Sequence, residues 1–142
     1  MNTGFVYAIG AAITWGLVYA IDQRVLTGVS PIALLFIDSV VTAIVMLPII
    51  FINHDAIESL LHSGKTTLYL IFLSLLLAAL ANYFIFSAIK LVGASSASII
   101  EIAYPFFVVL FSIILFRVAP NAWFLFGGLL IFIGSAIITY FH

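Results

Sequence analysis

The chain has 142 residues, of which 66% are hydrophobic and only 6% are charged. A soluble domain of this composition would lack the polar residues that cover a protein surface, so we predict an integral membrane protein. The net charge of −1 excludes a basic surface for nucleic acid, and the lack of cysteine excludes disulfides and sulfur-ligated metals. The first apolar stretch follows no positively charged segment and is too long for a cleaved signal, so we expect a retained span.

Five apolar segments are separated by short polar ones, and each is long enough to cross the hydrocarbon core as a helix of about 20 residues. Ser30 and Pro31 are typical of a helix start, because a hydroxyl caps the first turn and proline fits its first position. The predicted fold is all-α, a single five-helix transmembrane domain over residues 1–142. The predicted spans run from about Gly4 to Ile21, Pro31 to Asn53, Thr66 to Ile89, Ala94 to Phe116, and Pro120 to the C-terminus.

The longest polar segment, NHDAIESLLHSGK, lies between the second and third spans. Its aliphatic residues fall opposite its polar ones, which predicts a short amphipathic helix at the membrane surface. His54, Glu58 and His62 recur every four residues, a spacing that would also align three metal ligands on a helix. We favour the surface helix and predict neither a metal nor a cofactor.

An odd number of spans places the two ends of the chain on opposite sides of the membrane. Lysine and arginine normally accumulate in cytoplasmic loops, but the four such residues here are divided equally. Lys65 and Arg117 lie on the side of the N-terminus, whereas Arg24 and Lys90 lie on the other side. Two interpretations stay open: the chain inserts in both orientations, or the N-terminal amine or another factor selects one.

Two carboxylates lie within predicted spans at the same depth. Asp38 is seven residues past Pro31 and Glu101 is seven residues past Ala94, so a rise of 1.5 Å per residue places both about 10 Å inside one face. An ionised carboxylate in the middle of a span costs on the order of 3 kcal/mol by insertion scales. Each should therefore face protein or water, or carry a proton.

The sequence around Glu101, SIIEIAYPFF, combines this carboxyl group with a residue that breaks helices. Pro105 has no N–H, so the backbone carbonyl of Glu101 loses its helical partner and a kink is expected. Ser98 and Tyr104 fall on the same small and polar helix face as Glu101. We predict a cavity-lining segment that takes a proton or a cation. The alternative is a structural carboxyl bonded to a serine or to a basic side chain at the same membrane face.

Asp38 has fewer polar neighbours, because Thr42 is the one polar residue at helical spacing from it in an apolar span. We expect Asp38 to have a structural role, with Arg24 or Lys90 as its ion-pair partner. Both basic residues are predicted to lie on its side of the membrane.

On the first span, Trp15, Tyr19 and Asp22 share a helix face. This face could present aromatic rings and a carboxylate to an organic cation, and ordinary aromatic packing is the alternative. In the third span, Asn82 either lines the cavity or forms a hydrogen bond between helices. Small residues recur every four positions in the first span, and the fifth span carries several glycines. Such faces permit close helix packing within one subunit or between two.

Three stretches of the chain follow a familiar order. GFVYAIGAAITWGLVYAIDQRVLTGVSPIALLFI places Trp-Gly midway along one helix and Ser-Pro at the start of the next. LVGASSASIIEIAYPFFVVLFSIILF has small residues before a proline and an aromatic-aliphatic run, and WFLFGGLLIFIGSAIITYF is a glycine-bearing last helix. In this order they resemble the EamA domain of the drug/metabolite transporter superfamily. The chain departs from that pattern at Gln23, where the family often has a lysine.

The resemblance implies a transporter and not an enzyme. Many family members carry two such domains, inverted relative to each other, around a central cavity, whereas this chain has one half of that ten-helix arrangement. Two copies inserted in opposite directions would rebuild the whole, so we expect an antiparallel homodimer in the lipid bilayer.

The expected function is secondary transport, as an exporter, of small metabolites or organic cations in a bacterial inner membrane. Protons are the expected coupling ion, acting through Glu101. The alternative is a non-transporting subunit that pairs with another half-domain or assists a lipid-linked pathway.

Overall fold

The computed structural model of the protein describes residues 3–118 and 121–141, and within these ranges all regular structure is α-helical. Five segments of the described chain are long and apolar enough to span a membrane: α1, α2, α4, α5 with α6, and α7. The predicted all-α, five-span fold is therefore confirmed. The expected start of the last span at Pro120 lies outside the described residues. The helices are α1 (Thr3–Val25), α2 (Pro31–Ile52), α3 (His54–Leu61), α4 (Lys65–Val92), α5 (Ala94–Glu101), α6 (Tyr104–Phe116) and α7 (Ala122–Phe141).

The start of α2 follows from local sequence. The Ser30 hydroxyl accepts the N–H of Ala33 at 3.2 Å, and Pro31 occupies the first turn, where a missing N–H costs no helical bond. The polar segment after α2 contains α3, the predicted amphipathic helix. There the Asn53 side chain accepts the N–H of Ala56 at 3.3 Å and so caps α3.

The three residues that could have formed a metal site lie on and just after α3. The ring Nδ1 of His62 donates to the backbone carbonyl of Glu58 at 2.9 Å, so this nitrogen is used within the helix end. Within residues 3–118 and 121–141, no group of three or more histidine, aspartate or glutamate side chains could hold a metal ion.

The chain forms two compact units. Unit 1 comprises the residues up to Arg24 and those from Ala88 onward, and unit 2 comprises Val25–Ser87. In unit 2, α2 packs against α3. In unit 1, α7 packs against both α5 and α6, and the rings of Phe106 and Phe132 lie 5.6 Å apart across the α6–α7 contact. The buried residues of α5 and of the turn after it are alanines, which allow α7 to approach closely.

The fourth span is interrupted within unit 1. Its first part, α5, ends at Glu101, and α6 begins at Tyr104 with Pro105 in its first turn. The amide of Ala103 bonds the carbonyl of Ile100 at 3.2 Å, the shorter three-residue spacing that closes a helix. The interruption lies where Pro105 withholds an N–H from the Glu101 carbonyl, which is the physical cause of the predicted kink.

Replacing Pro105 with alanine should restore that N–H and join α5 to α6 as one helix. The new amide at position 105 should be protected from hydrogen exchange, and helical content by circular dichroism should rise slightly. The matched control is Pro31→Ala, because an amide in the first turn of α2 has no helical acceptor. Equal exchange rates at the two new amides would show that Pro105 does not cause the break.

Candidate functional site

The site in unit 1 is centred on a bond between two spans. The Tyr19 hydroxyl on α1 donates a hydrogen bond to the Glu101 carboxyl at the end of α5, with 2.7 Å between the oxygens. Both side chains are half-buried. The phenol of Tyr19 thus supplies a polar partner of the kind that an intramembrane carboxyl requires.

Aromatic and acidic groups surround this bond. The ring of Trp15, one turn earlier on α1, lies 5.5 Å from the Tyr19 ring at an interplanar angle of 55°. Half of the Trp15 side chain is exposed. Asp22, three residues after Tyr19 on α1, is buried. An aromatic face beside a carboxyl is an arrangement that can bind an organic cation.

Ser98 and Tyr104, which were predicted to share the helix face of Glu101, lie on different helices in the structure. The Ser98 hydroxyl donates to the backbone carbonyl of Ser95 at 3.0 Å, so it bonds its own helix instead of the carboxyl. Tyr104 begins α6 beyond the break and is largely exposed. Glu101 instead accepts its hydrogen bond from Tyr19 on α1, which periodicity along the fourth span does not identify.

The structure gives Gln23 a contact that sequence reasoning missed. Its side-chain oxygen accepts the backbone N–H of Ala94, the first residue of α5, at 2.8 Å. Gly93 precedes α5 with φ of +83° and has no side chain that could cap the helix. Gly93 is the feature of the sequence that could have indicated this contact, because a helix that starts without its own capping side chain needs a hydrogen-bond acceptor from another segment.

The other predicted residues lie outside this cluster or at its edge. Asp38 is exposed on α2 and Asn82 is half-buried on α4, and both belong to unit 2. Arg24 and Lys90, the expected structural charges, are exposed near the ends of α1 and α4 in unit 1. The ion pair of Asp38 with one of them stays a prediction.

A cavity of about 580 Å³ borders the same helix break in unit 1. The hydroxyls of buried Ser135 and exposed Thr139 both donate to carbonyls of α7: Ser135 to Phe132 at 2.9 Å, and Thr139 to Ser135 at 2.8 Å. The cavity therefore offers mainly apolar surface. Its lining includes Ile100, Ala103, Phe107, Phe132, Ser135 and Thr139.

Five spans with a carboxyl–phenol pair inside them define a polytopic membrane protein with a polar site within the apolar layer. The sequence profile of the EamA-like transporter family matches residues 2–140, nearly the whole chain. The protein belongs to this family, which supports a transport function of the drug/metabolite transporter type. A search of curated proteins gives no match, and a search of solved structures gives none either.

Removing the phenol donor should destabilise the α1–α5 contact. Tyr19→Phe should lower the free energy of unfolding by on the order of 1 kcal/mol, the usual range for a hydrogen bond between membrane helices. In a double-mutant cycle with Glu101→Ala, which removes the acceptor, most of that loss should appear as coupling between the two sites. Tyr7→Phe removes a hydroxyl from an exposed position of α1 and is the control. Strictly additive effects of the two changes would contradict the bond.

Proposed function

We propose that the protein is a proton-coupled secondary transporter that exports small metabolites or organic cations across a bacterial inner membrane as an antiparallel homodimer. The observation that carries the proposal is the bond between Tyr19 and Glu101 within two apolar spans. Membership in a transporter family supports the general class. The coupling ion, the direction of transport and the dimer are inferences from the site and the sequence.

The proposed chemistry uses one carboxyl for two ligands. An ionised Glu101 attracts either a proton or an organic cation, and it cannot hold both, so each ligand displaces the other. Tyr19 bonds the carboxyl without cancelling its charge, whereas an arginine or lysine partner would leave little net attraction for a cation. Trp15 adds an aromatic face on which a cation can rest.

The proposed dimer is supported by surfaces of this chain. Five spans cannot surround a central cavity as ten do, and the four basic residues are divided equally between the two sides. A Cβ atom built at Gly16, Gly127 or Gly134 would meet no heavy atom within 4 Å. No other segment of the described chain packs closely against these glycines, so a helix of a second copy can do so.

Glu101→Gln should remove proton coupling while leaving folding and dimerisation intact, because the amide keeps the size and hydrogen-bonding capacity of the carboxyl but does not titrate. In proteoliposomes with an imposed pH gradient, uptake of a fluorescent organic cation should fall at least about tenfold, the change expected when a charged ligand loses its counter-charge. Glu58→Gln changes the other glutamate, on α3 outside the spans, and should transport like the parent.

The outcomes of this assay separate the two candidate functions. If Glu101→Gln transports like the parent at every pH, Glu101 is a structural carboxyl. If the purified parent moves no solute among amines, amino acids, nucleosides and drugs, a non-transporting subunit is favoured instead. Asp38→Asn should mainly lower the stability of the protein, in keeping with a structural role. Pro105→Ala should reduce flux, but less completely than Glu101→Gln.

The antiparallel dimer requires that the chain inserts in both orientations. Because the natural sequence has no cysteine, a single cysteine replacing Phe141 should be labelled by an impermeant reagent from both sides of intact membranes. Three lysines added after position 141 should fix one orientation and abolish transport, since lysines are retained on the cytoplasmic side. Co-expression with an oppositely biased variant should restore transport. Labelling from one side alone would exclude dual insertion.

A further inference from the structure

The first turn of α5 depends on a side chain from α1. The first N–H groups of any helix lack partners inside it, and Gly93 has no side chain to supply one. Ala94 is only 6% exposed, so water has little access to its amide. Although Gln23 itself is exposed, its side-chain oxygen reaches this amide at 2.8 Å. The contact is close enough that a Cβ on Gly93 would lie 3.8 Å from the same oxygen.

The last turn of α5 is held by the same face of α1. Tyr19 precedes Gln23 by four residues, about one helical turn, and it bonds Glu101 at the end of α5. One bond alone would let the short helix swing, whereas a bond at each end fixes its position along α1. Beyond its C-terminal end, α5 is not continued directly by α6, because Ile102 and Ala103 form a turn between the two helices.

We propose that Gln23 is a positioning residue for Glu101: by capping α5 it sets the register in which the carboxyl reaches Tyr19. The inference rests on the proposed function only in that Glu101 is taken as the coupling carboxyl. An amide suits this task because it accepts an N–H and carries no charge. A lysine or arginine has donors only and cannot accept the Ala94 amide.

The test reads the Glu101 carboxyl directly and needs no transport. Glu58 and Glu101 are the two glutamates of the chain, so cell-free synthesis with carboxyl-¹³C glutamate in a Glu58→Gln background labels Glu101 alone. The infrared band of that group reports its hydrogen bonding. Tyr19→Phe defines the frequency of the carboxyl without its phenol partner.

Gln23→Met has similar length but no comparable acceptor, and it should move the Glu101 band toward the frequency of Tyr19→Phe. Gln23→Asn, one methylene shorter, should shift the band in the same direction and serves if the methionine variant does not fold. Ser30→Ala removes a helix cap in unit 2 and is the control: it should lower the melting temperature while the band stays at the parent frequency.

An unmoved band in a folded Gln23 variant would overturn the inference and make Gln23 only a helix cap. A shift in Ser30→Ala as large as that in Gln23→Met would also overturn it, because the effect would then follow general stability. In the flux assay, Gln23→Met should raise KM by up to about tenfold at a nearly unchanged maximal rate, the ratio that one lost hydrogen bond produces. A band shift without any parental flux would reject the proposed function while leaving the positioning role supported.

Discussion

A carboxyl group inside an apolar layer must have a polar partner, and this requirement joins α1 to α5. The phenol of Tyr19 meets it without supplying a positive charge, which is the basis of the proposed attraction for a cation or proton. An ion pair with lysine or arginine would satisfy the carboxyl equally well but would neutralise it. In the proposed mechanism, the neutral donor lets one carboxyl be both accommodated in the span and available to a ligand.

The same region shows how one residue can be placed by several weak constraints. Pro105 removes the partner of the Glu101 carbonyl, so α5 stops at the residue that carries the carboxyl. A helix of this length is only two turns long and would not hold its position by itself. Gln23 and Tyr19 hold its two ends, and buried Ala97 lets neighbouring segments approach closely. The end of a short helix, and not a rigid span, thus presents the Glu101 carboxyl.

Hydropathy predicted the five spans because a backbone that crosses lipid must satisfy its own hydrogen bonds, which a helix does. The Ser30 cap and the Pro105 break follow from local chemistry. The bonds of the site were not predictable in this way. Tyr19 and Glu101 are 82 positions apart, and Gln23 and Ala94 are 71 apart, so neither pairing leaves a local pattern. Periodicity places Ser98 on the helix face of Glu101 and made a serine one of the alternative partners, yet a serine in a helix can bond a preceding carbonyl, as this one does.

The depth of Glu101 gives the proposed dimer a functional meaning. Seven residues into its span, the carboxyl lies about 10 Å from one face of a hydrocarbon core about 30 Å thick. One copy would therefore load its ligand from one side and would leave about 20 Å of apolar layer uncrossed. An inverted second copy would place its own carboxyl about 10 Å from the opposite face. The two sites would then differ in depth by about 10 Å, a step that modest rearrangement of the short helix beside each break could bridge.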